Sequence, residues 1–144
     1  MSIQDRPVEE RLGQRGIRYT DGRRRVIHAL ELADGPRSAA EIFGDLDGDM
    51  PLSSIYRSLA VLEEVGIVAP HQSSREVTRF EMAEWLAGHH HHLVCVECGA
   101  VEDIKLPAAL EEQLEGVVGR VSELSRFEAS GHSLEVDGRC ARCA

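Results

Sequence analysis

Residues 53–82 read SSIYRSLAVLEEVGIVAPHQSSREVTRFEM, and this stretch decides the fold. Ser53 stands where a side chain caps a helix, and Ile55, Leu59 and Leu62 recur at helical spacing as far as Val65. Gly66 stops that helix. The spacing puts Ser54, Arg57 and Ser58 on the side away from the apolar row. Two short extended runs follow, 67–72 and 77–82, separated by Ser73, Ser74, Arg75 and Glu76, which predicts a β-hairpin.

Upstream, Ser38 with Glu41 forms a capping box for a short helix whose apolar side is Ile42, Phe43 and Leu46. Thr20 caps an earlier helix carrying Val26, Ile27, Leu30 and Ala33, ended by Gly35 and Pro36. A polar helix over 8–15, closed by Gly16, precedes it. Helices, then a helix–turn–helix, then a hairpin is the order of a winged helix, in which the second helix of the pair enters the major groove. A small helical bundle with a β-ribbon would share the pattern.

Downstream, composition changes at 84–88. Residues 93–95 and 101–104 read as strands around a CxxCG turn, Pro107 sits at a helix N1, and Leu110, Leu114, Val117 and Val121 give that helix one apolar face. Residues 127–136 read as a further strand region, interrupted at Gly131. The fold class is therefore α+β, an N-terminal winged helix-turn-helix domain followed by a small α/β domain.

A chain of 144 residues, 42% hydrophobic, that splits in this way has two small cores. Cores of that size commonly need a metal, disulfides or a partner subunit. No apolar run approaches the roughly 20 residues that span a bilayer, and the N-terminus lacks a signal-peptide core. The expectation is a cytoplasmic protein without a membrane partner, with its thiols reduced. The net charge of −9 is adverse to nucleic acid as a whole, but it is unevenly spread. Residues 11–25 carry six arginines (Arg11, Arg15, Arg18, Arg23, Arg24, Arg25) against Asp21 alone. DNA contact depends on the local field, so a basic N-terminal face on an acidic body is compatible with it.

Cys95-x-x-Cys98 and Cys140-x-x-Cys143 are two matched knuckles, with 41 residues between Cys98 and Cys140. Four thiolates close a tetrahedral zinc site with no open position, so the predicted Zn2+ is structural and ties the start of the second domain to its tail. Redox-active CxxC pairs are the alternative. Immediately before the first knuckle stand His89, His90, His91 and His92. In an extended strand alternate side chains face opposite sides, so His89 and His91 would serve one metal site and His90 and His92 another. A solvated, adventitious histidine tract is the plainer possibility.

Together TDGRRRVIHAL, SAAEIF, LSSIYRSLAVLEEVGIV, TRFEM, HHHHLVCVECG and HSLEVDGRCARC resemble the ferric uptake regulator superfamily over residues 12–143, with its zinc uptake regulator branch as one candidate. The resemblance implies a homodimeric, metal-loaded repressor of metal homeostasis genes that binds palindromic operators in double-stranded DNA. It implies a winged-helix domain over 1–83, a ligand-bearing hinge over 84–92 and a dimerisation domain over 93–144. Tyr56 and Arg57, with Ser54 beside them, match the recognition helix, and Arg18 and Tyr19 match the basic stretch before the Thr20-capped second helix. Glu81, His90 and His92 match a regulatory hinge site for Zn2+ or Fe2+, and His89, His91 and His132 match a second site. The acid of that second site is Glu111, with Asp103 the other candidate. Where many relatives place a histidine before the SAAEIF-like helix this chain reads Gly35-Pro36-Arg37, so the fourth hinge ligand is open, with His71 a substitute. A zinc enzyme needs an open coordination position beside a general base, as in HExxH, and none occurs. A metal buffer without DNA binding would leave the SSIYRSL helix and the wing without purpose.

Overall fold

The computed structural model describes residues 4–71 and 77–144, and the chain divides into two compact units, Met1–Gly88 and His89–Ala144. The first unit runs α1 (Asp5–Gln14), α2 (Asp21–Leu32), α3 (Ala39–Asp45), α4 (Leu52–Glu64), β1 (Val68–His71), β2 (Arg79–Met82) and α5 (Glu84–Ala87). The second runs β3 (His91–Cys95), β4 (Val101–Ile104), α6 (Ala108–Ser125) and β5 (Glu135–Gly138).

Local chemistry sets most helix ends of the first unit. Thr20 accepts the Arg23 amide at the start of α2, and both halves of the Ser38–Glu41 capping box are made. Asp47 and Gly48 take positive φ (55° and 68°) in the turn between α3 and α4, where aspartate and glycine carry the least steric penalty. Gly66, at φ 75°, stops α4 as expected. The α4 N-terminus differs from expectation. Pro51 holds the cap position, with its ring-fixed φ of −57°, and Ser53 lies inside the helix without capping it. Ser58 is buried, because three residues after Ile55 and one before Leu59 it falls on the edge of the core face. The first helix opens at Asp5 rather than at 8. The Asp5 carboxylate is buried, accepts the Tyr19 hydroxyl proton at 2.7 Å, and lies 3.2 Å from Arg24 and 2.9 Å from His28 on α2.

One contiguous core joins these elements, with Val8 and Leu12 of α1, Val26 and Ile27 of α2, Ile42 of α3, and Ile55, Leu59 and Leu62 of α4 at its centre. Val68 and Met82 carry the core onto the antiparallel hairpin, whose register pairs Ala69 with Glu81 and His71 with Arg79. The connecting turn expected at Ser73, Ser74, Arg75 and Glu76 lies outside the described residues. Arg37 adds an antiparallel bridge to Phe80, fastening β2 to the residue before the α3 cap Ser38.

In the second unit β3 is central in the order β4-β3-β5, antiparallel to β4 and parallel to β5. The strand expected over 127–136 is irregular until Glu135; pairing starts where the His92 amide donates to the Leu134 carbonyl. Gly131 and the serines around it break the alternation that a strand needs there. Pro107 stands just outside α6 in the cap position instead of at N1. Among the described residues the buried apolar side chains of this unit are Val94, Cys95 and Val101, and α6 has no buried residue. Val117, Val121 and Leu124 are 54%, 54% and 87% exposed along one helix. So small a core does not hold such a unit by itself.

Candidate metal centres and nucleic-acid face

The two cysteine knuckles meet. Cys95 ends β3 and Cys98 follows in its turn, while Cys140 and Cys143 lie just beyond β5, which pairs with β3 so that Cys95 faces Gly138. The four sulfurs lie within 4.8 Å of one another, with Cys98 and Cys140 Sγ 3.8 Å apart. The Cys98 and Cys140 amides donate to Cys95 Sγ at 3.5 and 3.4 Å, which draws that thiol down to about 6. The Cys143 thiol is pushed up to about 12, chiefly because it hydrogen-bonds to Cys140 and Cys95 and so keeps its proton among sulfurs. Four converging thiols, with Cys95 and Cys140 biased toward thiolate, fit a structural zinc site.

The four histidines divide between two carboxylates. On one side of the strand His89, His91 and His132 surround Glu111 in the first turn of α6, with Nε2–carboxylate distances of 2.8, 2.9 and 2.6 Å. Their ligand atoms all lie within 4.8 Å, and His91 is almost wholly buried. Burial alone would raise the Glu111 carboxyl, but hydrogen bonds from His91, His132 and His89 outweigh it and hold the group below its usual range. On the other side His90 and His92 present Nε2 at 3.5 and 3.4 Å from Asp103 Oδ1, their ring centroids 5.1 Å apart. Three nitrogens and a carboxylate, and two nitrogens and a carboxylate, are both donor sets that divalent zinc or iron accepts. Asp103 thus stands with His90 and His92, and Glu111 with the other three. A countable signal locates Asp103. A hairpin folded about the CxxCG turn, with Val94 opposite Val101, puts His92 opposite Asp103.

Glu81 lies on β2 of the first unit, half-buried, opposite Ala69. His71 ends β1 opposite Arg79. Arg37, which precedes the α3 cap Ser38, is bound by Asp45 at 2.9 and 2.7 Å and by Glu41 at 3.2 Å.

Tyr56 and Arg57 are exposed on α4, and Arg57 donates to Ser54 Oγ at 3.2 Å. An open cleft of about 540 Å³ runs beside them, lined in part by Thr20, Arg23, Ser54 and Arg57. Arg18 is exposed, and its carbonyl accepts from the Arg23 guanidinium at 2.6 Å. Tyr19 is engaged internally. Burial and its hydrogen bond to Asp5 hold its hydroxyl proton on far above the usual range, and the Arg24 guanidinium covers its ring at 4.3 Å. Arg23, one of the six arginines of the basic run, stands in the first turn of the helix capped by Thr20.

A winged helix followed by an α/β unit carrying thiolate and imidazole clusters is the build of a metal-responsive regulator of transcription. The family model for the ferric uptake regulator family matches residues 14–137. The chain is 30% identical over 138 residues to the ferric uptake regulation protein of Legionella pneumophila, covering 93% of this chain and 96% of that one. It is 28% identical over 135 residues to the peroxide-responsive repressor PerR of Staphylococcus aureus, covering 92% and 86%. Among solved structures, that of the Vibrio cholerae ferric uptake regulator superposes with a TM-score of 0.68 at 26% identity, over 92% of this chain and 98% of that one. This chain belongs to the ferric uptake regulator family. Its relatives are transcriptional regulators, which sets aside the hydrolase and oxidoreductase alternatives.

Proposed function

We propose that the protein is a homodimeric repressor that binds palindromic operators in double-stranded DNA when a regulatory divalent metal is bound, and that its targets serve metal homeostasis. The observation that carries this reading is the division of four consecutive histidines between Glu111 and Asp103. A solvated histidine tract has no reason to meet two carboxylates on opposite sides of one strand.

Cys95, Cys98, Cys140 and Cys143 hold structural Zn2+. His90 and His92, with Asp103 and with Glu81 from the wing strand, hold the regulatory Zn2+ or Fe2+. His89, His91, Glu111 and His132 hold a further ion in the dimerisation domain. A cation bound by Glu81 together with His90 and His92 has different free energy in different arrangements of wing and sheet, and such a difference is what a switch requires. The exposed apolar row of α6 supports pairing with a second copy, since the second unit has almost no core of its own. Ser54, Tyr56 and Arg57 then read bases or phosphates from the major groove, and Arg18, beside the internally held Tyr19, lies along the flanking backbone.

Selection of bound duplexes from a random DNA pool, with metal-free and with Zn2+- or Fe2+-loaded protein, tests this. A palindromic consensus enriched only by loaded protein is the expected result. Filled histidine sites without enrichment by any metal would point to a metal buffer.

A further inference from the structure

The segment that presents Arg18 is held from behind by the first helix. Gly16, at φ 68°, turns the chain out of α1, and the Ile17 amide donates to the Leu12 carbonyl at 2.9 Å. Ile17 and Tyr19 both pack against the core, and Arg18 between them is exposed. The Tyr19 ring is held at its tip and on one face. Its hydroxyl donates to Asp5 Oδ1 at 2.7 Å, and Arg24, 3.2 Å from Asp5 Oδ2, lies over the ring at 4.3 Å. The Arg18 carbonyl accepts from Arg23 at 2.6 Å, and Thr20 caps α2 immediately afterwards. Asp5 itself is buried in the first turn of α1, with His28 Nε2 2.9 Å from Oδ1. Taking a carboxylate that far out of water is expensive, and an apolar side chain of similar volume would serve the core better. What the charge adds is direction, because it fixes Tyr19 and Arg24 on either side of the α2 cap.

We propose that Asp5 is a positioning residue for DNA binding, bracing Tyr19 and Arg24 so that the backbone between α1 and α2 presents Arg18 to the duplex in one place. The proposal rests on the DNA-binding reading above. A phosphate contact made by a segment that must first be ordered is weakened by the entropy of that ordering. With Ile17 and Tyr19 held on either side, Arg18 has only its own side chain to order. Arg24 belongs to the basic run, yet its guanidinium is spent inside the domain as part of the brace. As a charge alone, Asp5 opposes DNA, since an anion on a basic face repels phosphate. Charge and positioning therefore predict opposite effects of one substitution.

The test is a double-mutant cycle in the full-length, metal-loaded protein, pairing Asp5→Asn with Arg18→Ala. Affinity for the palindromic duplex enriched by selection is measured alongside melting temperature. Arg18→Ala is expected to weaken binding and to make the salt slope shallower by about one. Asp5→Asn is expected to weaken binding about fivefold, the scale of ordering one long side chain on association. The double variant should then bind as Arg18→Ala does, because Asp5 acts through Arg18. Tyr19→Phe spares the carboxylate and its pairing with Arg24, and is expected to behave in the same way; it decides the matter if Asp5→Asn does not fold. A merely structural Asp5 would lower the melting temperature and either leave affinity alone or add its full loss to that of Arg18→Ala. Either of those results, tighter binding by Asp5→Asn, or an Arg18→Ala that binds like wild type overturns the proposal. If wild type binds no duplex with any metal, the DNA-binding reading fails instead. The brace is then judged by hydrogen exchange over 17–20, where faster exchange in Tyr19→Phe upholds it and equal exchange overturns it.

Discussion

His92 stands opposite Asp103 across the β3–β4 ladder, its Nε2 3.4 Å from the carboxylate Oδ1. Directly opposed residues in an antiparallel pair keep their side chains on one face, so the acid follows the histidine wherever the sheet goes. Asp103→Asn keeps the shape and removes the anionic ligand. The expected outcome is a folded dimer that binds one fewer ion per chain at limiting metal and needs a higher metal concentration for operator binding. Equilibrium dialysis and operator titration check this; an unchanged metal requirement would remove Asp103 from the site.

Cys95→Ser should be far more damaging. The second unit buries only a few apolar side chains, and structural zinc commonly contributes about 10–16 kcal/mol of apparent folding free energy. The variant is expected to lose its tightly held zinc, to dissociate in sedimentation, and to melt at a much lower temperature. A dimeric, equally heat-stable variant contradicts the structural role.

Arg57→Ala addresses the DNA face. A base-reading arginine is worth about 1–3 kcal/mol of discrimination, and a phosphate contact weakens all sequences alike. Binding to an operator and to a scrambled duplex across a salt series separates the two. Loss confined to the operator marks base reading, equal loss with a shallower salt slope marks a phosphate contact, and no loss in either removes Arg57 from the interface.

Glu41 joins the α3 capping box to Arg79 at 3.0 Å and Arg37 at 3.2 Å. Burial raises its carboxyl, but the Ser38 amide and the two arginines prevail and hold it below the usual 4.5. A carboxylate with a depressed folded-state pKa contributes stability that is complete above the unfolded value and is lost as pH falls through the folded one. Glu41→Gln preserves the cap and removes the charge. At pH 7 the wild type should be the more stable protein in denaturant titrations, with the gap closing below about pH 4.5. A gap that persists at acid pH would mean that packing, not charge, carries the difference.

Much of this architecture was legible in the sequence because local rules decide it. Thr20, the Ser38–Glu41 pair and Gly66 punctuate the helices, and the alternation along the histidine run sorts its members by strand geometry. Other features depend on partners distant in the chain. The early start of α1 follows from Asp5 meeting Tyr19, Arg24 and His28, and the burial of Ser58 from the shape of the core. Nothing within a few residues of Trp85 announces its bond to Gly66, nineteen residues earlier.

The central claim, that metal on the hinge histidines controls DNA binding, is tested most directly by fluorescence anisotropy of a labelled operator. Wild type and His92→Ala would be compared, with structural zinc retained, during anaerobic titration with Zn2+ and with Fe2+. The account predicts tight, salt-dependent binding by the wild type with at least one of these metals, and a folded, dimeric His92→Ala whose affinity stays at the metal-free level. Undiminished metal-dependent binding by His92→Ala would contradict it.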